Sequence, residues 1–156
     1  MIKPLAAALL ALSITGCKQA DAAAPREVAP ASVRLLPRQG DLATLITAEV
    51  AKAHARKLRP FLELRAEWCK PCKQLEASMN DSRMIAAFAG TYLISIDIDE
   101  WDGKLDAIGV AADSIPVFYE LDAKGKPTGR NINGGAWDEN IPANMAPPLK
   151  AFFAAR

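Results

Sequence analysis

Cys69 and Cys72 enclose Lys70 and Pro71, and Trp68 stands directly before the first cysteine. Two thiols at this spacing can close a structural disulfide, hold a soft metal, or cycle between dithiol and disulfide. The residues around them narrow the choice. An alternating stretch, 61–67, precedes the pair, and a helical pattern runs from Cys69 to Ser78. Pro71 fits such a helix only in its first turn, where its missing N–H is not needed. Cys69 therefore falls at a helix N-terminus, where unpaired N–H groups and the helix dipole favour a thiolate. The dipole is worth about 0.3–2 kcal/mol, which leaves Cys69 between mostly thiol and nearly half thiolate at neutral pH. Lys70 adds little, because screening weakens an exposed charge. Cys72, one turn inside, has no such help. The asymmetry assigns roles: Cys69 attacks and Cys72 resolves the mixed disulfide.

The competing uses of the pair are weaker. Zinc needs two further ligands, but the chain has one histidine, His54, and no second cysteine pair. Haem attachment needs a histidine where Lys73 stands. A structural disulfide closing so short a loop removes little unfolded-state entropy. Copper held by two thiolates stays open beside the redox reading.

The elements that must position the pair follow from periodicity. Asp41 can cap a helix whose apolar residues include Leu42, Leu45, Ile46, Val50 and Ala53, and Pro60 ends it. In 61–67, Phe61, Glu63, Arg65 and Glu67 face one way and Leu62, Leu64 and Ala66 the other. Glu63 is odd there, between apolar neighbours in what should be an inner strand. Asn80 or Asp81 can cap a helix over 82–88, and Tyr92, Ile94, Ile96 and Ile98 mark a second strand. A short helix is expected near 104–108, then a third strand from Pro116, a turn at 123–129 and a short fourth strand at 130–134. Pro142, Pro147 and Pro148 interrupt the last helical pattern, so a helix is expected only in its final portion. The order predicts an α/β domain with a central mixed sheet of about four strands flanked by helices. The first two strands should be parallel and the last two antiparallel.

"RAEWCKPCKQLE", "YLISIDID" and "SIPVFYELDAKGKPTG" together resemble the thioredoxin superfamily, over about 58–153. The resemblance implies a thioredoxin-like fold and a redox-active Cys69–Cys72 pair. It implies that Pro116 is a cis-proline facing the cysteines, since a cis bond is affordable only before proline. The Ile115 backbone beside it would pair with an incoming substrate chain, and Gly134 or Gly135 would line the rim of the substrate groove. Trp68, Lys70 and Pro71 would surround the site. The resemblance also gives Glu63 a role: a buried acid that takes the proton of Cys72. Ser95 stands where the superfamily commonly carries the lysine that partners this acid. Trp101 and Trp137 read as packing or groove residues, and 97–102 as a strand end with a helix cap rather than a calcium loop.

The chain has 156 residues, is 51% hydrophobic and 24% charged, and carries a net charge of +1, which points away from nucleic acid. Its first residues differ from the rest. Lys3 precedes an apolar run too short to span a bilayer but suited to an export signal. Residues 14–17, "ITGC", resemble the lipobox of bacterial lipoproteins, which makes Cys17 the lipidated first residue. Cleavage after Ala24 is the alternative. Either places the domain outside the cytoplasm, where disulfides persist.

The expected organisation is a signal at 1–16, lipidated Cys17 with an Ala/Pro-rich tether to 40, and a thioredoxin-like domain at 41–156. The expected protein is a periplasm-facing lipoprotein, with Lys18 leaning towards the outer membrane by resemblance to enterobacterial sorting. It would reduce disulfides of periplasmic proteins with no bound cofactor, drawing electrons from an upstream thiol–disulfide donor. A disulfide oxidase or isomerase, a thiol-based copper-binding protein and a non-catalytic scaffold are the alternatives.

Overall fold

A computed structural model describes residues 29–155, so Cys17 and the export signal lie outside the described residues. Five strands form one sheet: β1 (Ala31–Arg34), β2 (Arg59–Arg65), β3 (Thr91–Asp97), β4 (Val117–Leu121) and β5 (Pro127–Asn133). Their order is β1-β3-β2-β4-β5. β1, β3 and β2 are parallel, and β4 and β5 run antiparallel to their neighbours. The expected mixed pairing is present, with one strand more than anticipated.

The additional strand is β1. It lies in the stretch read as tether, which instead joins the sheet edge through the register Ala31↔Tyr92 to Arg34↔Ser95. Alanines and prolines around it masked a four-residue alternation too short to register as a strand by itself. Leu35, next in the chain, is 1% exposed and donates its N–H to the Ser95 carbonyl.

Helix α1 (Leu42–Ala55) begins where Asp41 accepts a hydrogen bond from the Thr44 N–H at 2.9 Å. It covers one sheet face, packing Ile46, Val50 and Ala53 against Leu62, Leu64, Ile94 and Ile96. Helices α2 (Lys70–Ser78), α3 (Ser82–Ala87) and α4 (Pro142–Ala154) belong to the other face. There Leu75, Met84, Phe88, Phe118, Leu149 and Phe153 close around Phe61. β2 is thus central and covered on both sides.

The last helix corrects an expectation. α4 runs unbroken from Pro142 through Pro147 and Pro148. Pro142 occupies its first turn, where proline fits. Burial of Met145, Ala146, Leu149 and Phe153 along one stripe holds the helix together across the other two prolines. Arg130 reaches its end, donating to the Phe152 carbonyl at 2.9 Å and to Glu120 at 2.7 Å. Arg59 donates to Glu120 and to the carbonyl of Phe153. Among the described residues no helix is long and apolar enough to cross a membrane.

Candidate active site

The two cysteines sit where central strand β2 ends and α2 begins. Ala66 to Cys69 form the connection, and Cys69 caps the helix: its sulfur accepts the Cys72 N–H at 3.1 Å. Pro71 lies in the first turn, as its chemistry requires. The sulfurs are joined in a disulfide with an S–S distance of 2.13 Å. Both residues are buried, Cys69 3% and Cys72 1% exposed, in a small cluster with Ala66, Ile98 and Ile115.

Across from the pair, the Ile115–Pro116 peptide bond is cis. The Ile115 carbonyl oxygen lies 3.7 Å from Cys69 Sγ. Pro116 is buried and Ile115 half-buried at the start of β4. The Pro116 carbonyl accepts the Gly134 N–H at 3.1 Å, tying the loop after β5 to this corner. A Cβ on Gly134 would meet the Pro116 ring at 3.6 Å, which is ordinary contact, and one on Gly135 would come within 3.1 Å of Asn133 Oδ1. Gly134 thus lies beside Pro116 and Gly135 against Asn133, although neither has a positive φ that demands glycine.

Trp68 is 66% exposed, and its indole N–H donates to Asp99 at 2.7 Å. A large apolar face is thereby held open to solvent next to the disulfide. Lys70 is exposed and Pro71 half-buried. Trp137 is buried with the aromatic core, and its indole N–H donates to Asn140, which donates in turn to Gln74 of α2. Trp101 packs in the α1-side core and donates to the Leu35 carbonyl. His54 is exposed on α1.

Glu63 occupies the centre of β2, directly opposite Ser95 of β3. Strand alternation points it to the α2 side of the sheet. A cavity of about 270 Å³ opens there, lined by Glu63, Arg65, Arg34, Ser95, Leu75 and Glu76 among others. Leu75 and Glu76 lie one turn beyond Cys72 on the same helix face. Burial raises the Glu63 carboxyl above its ordinary value, and the Ser95 hydroxyl and the Arg65 charge only partly offset this.

The charged groups around this cavity were not singled out from the sequence. Arg65 Nη2 donates to Glu76 at 2.9 Å, and Arg34 Nη1 donates to Glu67 at 2.8 Å. Arg34 also faces Glu100 at 3.3 Å and Asp97 at 3.6 Å. Asp97 is 2% exposed; its Oδ1 accepts the Asp99 N–H, and its Oδ2 has no hydrogen-bond partner among the described residues. The available signal was the inward phase that Arg65 shares with Glu63.

The structure is similar to a solved one, that of disulphide isomerase from Xylella fastidiosa Temecula1. The two share 24% identity over 77% of this chain and 95% of that one, with a TM-score of 0.54. The fold is thioredoxin-like. Trichomonas vaginalis thioredoxin is also similar, at 22% identity over 65% of this chain and 83% of that one, with a TM-score of 0.44. No family model and no curated protein sequence matches the chain. Within the thioredoxin-like fold, the Cys69–Cys72 disulfide sits at the end of the central parallel strand, beside the start of β4.

Proposed function

We propose that the protein is a thiol–disulfide oxidoreductase that reduces disulfides of other proteins through Cys69 and Cys72. The observation that carries this reading is the closed disulfide at the N-terminus of α2, with Ile115 and Pro116 facing it and Trp68 exposed beside it.

In the reduced form the Cys69 thiolate attacks one sulfur of a substrate disulfide. A Cys69–substrate disulfide forms, and the other substrate sulfur leaves as a thiolate that takes up a proton. Cys72 then loses its proton, with Glu63 as the acceptor, and attacks Cys69 Sγ. The second substrate sulfur leaves, the Cys69–Cys72 bond closes, and two electrons have passed to the substrate. A protein dithiol restores the pair by the reverse exchange. Cys69 draws its nucleophilicity from the helix terminus, whose Cys72 N–H already points at its sulfur. Ile115 would offer backbone groups to the substrate chain next to the reacting sulfur, and Gly134 and Gly135 would line the same groove.

The exported setting belongs to the same proposal. The lipobox-like residues 14–17 support anchoring through Cys17, with the domain facing the periplasm. The similarity to a disulphide isomerase supports the same pair running in either direction.

The reduction potential of the pair decides among these. It is measured in thiol buffers of graded poise by following tryptophan fluorescence, with Cys69→Ser as control. A potential well below that of the periplasm is expected for a reductase. A high potential replaces reduction with oxidation or isomerisation. A pair that never equilibrates overturns the redox reading and puts copper binding by the two thiolates first.

A further inference from the structure

Glu63 is half-buried, and the cavity beneath α2 that it lines is partly open to solvent. The polar groups that meet it there come from four elements: Ser32 and Arg34 of β1, Arg65 of β2, Ser95 of β3 and Glu76 of α2. Register explains the convergence. Arg34, Ser95 and Glu63 are successive Cα partners across β1, β3 and β2, so their side chains stand in one row. Arg65 follows Glu63 by two residues and shares its face.

Arg65 and Glu76 are bonded to each other but differ in placement. The Arg65 side chain is 11% exposed, whereas that of Glu76 is 66% exposed. The Arg65 side chain is therefore mostly buried where it lines the cavity with Glu63, and its acidic partner sits at the solvent end. Arg34, the other cation lining the cavity, is engaged by Glu67 and Glu100. Opposite charges thus act on Glu63 across one partly open cavity, where solvent screens the exposed Glu76 more than Arg65. Arg65 draws the Glu63 carboxyl down and Glu76 pushes it up.

We propose that the Arg65–Glu76 ion pair is the positioning element that sets when Glu63 binds and releases its proton. The proposal deepens the reading of Glu63 as the proton acceptor for Cys72, and its mechanistic meaning rests on that reading. While the two are paired, their fields oppose and burial governs Glu63. With Glu76 neutralised, Arg65 keeps only a longer contact to the exposed Glu67, at 3.7 Å, and its charge favours the Glu63 carboxylate. With Arg65 removed, Glu76 and Glu63 face each other as like charges and the proton is held.

The test is an infrared titration of the Glu63 carboxyl band in the full chain, assigned in each background by loss of the band in Glu63→Gln. Arg65→Met should move the midpoint up by about one pH unit, and Glu76→Gln down by a smaller amount, since Glu76 is the more exposed. Arg65→Lys, which keeps the charge, should stay near the parent value. If Arg65→Met does not fold, Glu76→Gln decides alone, with the downward shift expected. A midpoint unmoved by Glu76→Gln, or moved the same way by both charge-removing variants, overturns the proposal. The titration needs no substrate, so inactivity in disulfide exchange would sink the oxidoreductase reading without touching this result. If exchange is active, its pH profile should shift in the same direction as the band.

Discussion

Ser95 stands directly opposite Glu63 in the parallel ladder of β2 and β3. An acid in the middle of a central strand therefore meets a short hydroxyl across the ladder and has no cation directly opposite. Arg65, two residues on along the same face of β2, is already bonded to Glu76. Burial outweighs both attractions and keeps the carboxyl above its ordinary value.

That imbalance has a sign. The folded protein holds the Glu63 proton more tightly than the unfolded chain. The associated stability is fully present below the unfolded pKa, falls as pH rises, and is lost above the folded pKa. Glu63→Gln should therefore be nearly neutral at about pH 4 and stabilise the protein by about 1–3 kcal/mol at alkaline pH. Urea unfolding across that range reads the difference. A variant whose stability difference stays flat with pH would remove the buried charge from the account.

The two cysteines are not equivalent, because only Cys69 caps the helix. With a model disulfide substrate, Cys69→Ser should leave only the uncatalysed background. Cys72→Ser should instead accumulate a stable mixed disulfide through Cys69, visible by mass spectrometry of the acid-quenched protein. Trapping through Cys72 would reverse the assignment of roles.

β1 ties the start of the folded unit to the sheet. A chain beginning at residue 29 keeps β1, the buried Leu35 and the bond from Trp101 to the Leu35 carbonyl at 3.2 Å. A chain beginning at residue 41 loses all three. It should be less stable by at least about 2 kcal/mol, from the lost burial of Leu35 and the unpaired indole N–H. Equal denaturation midpoints for the two chains would show that β1 contributes nothing.

Tyr92 and Glu49 form the buried polar pair of the α1 side, the phenol donating at 2.6 Å. Burial and the Glu49 carboxylate push the Tyr92 phenol up to about 12. Stability from this group is present below the ordinary tyrosine value and declines as pH rises towards about 12. Tyr92→Phe leaves Glu49 to Lys52 alone and should cost about 1–2 kcal/mol at neutral pH. It should also remove the last phenolate to appear in an ultraviolet titration, and persistence of that late step would assign it to another tyrosine.

The local chemistry of the site was legible in the sequence because it depends on near neighbours. Pro71 could stand only in a first turn, which placed Cys69 at a helix N-terminus, and alternation through 61–67 put Glu63 in phase with Phe61 and Arg65 in what should be an inner strand. Asp41 capped its helix for the same local reason. What escaped was settled by contacts between distant parts of the chain. Four residues at 31–34 carry too little periodicity to declare a strand, yet β3 offers them an open edge to pair with. Prolines at 147 and 148 argue against a helix until its buried stripe meets Phe61 and Phe88. Spacing alone showed Arg65 on the face of Glu63, but only the packing of α2 over the sheet brought Glu76 to Arg65 and closed the cavity that both share with Glu63.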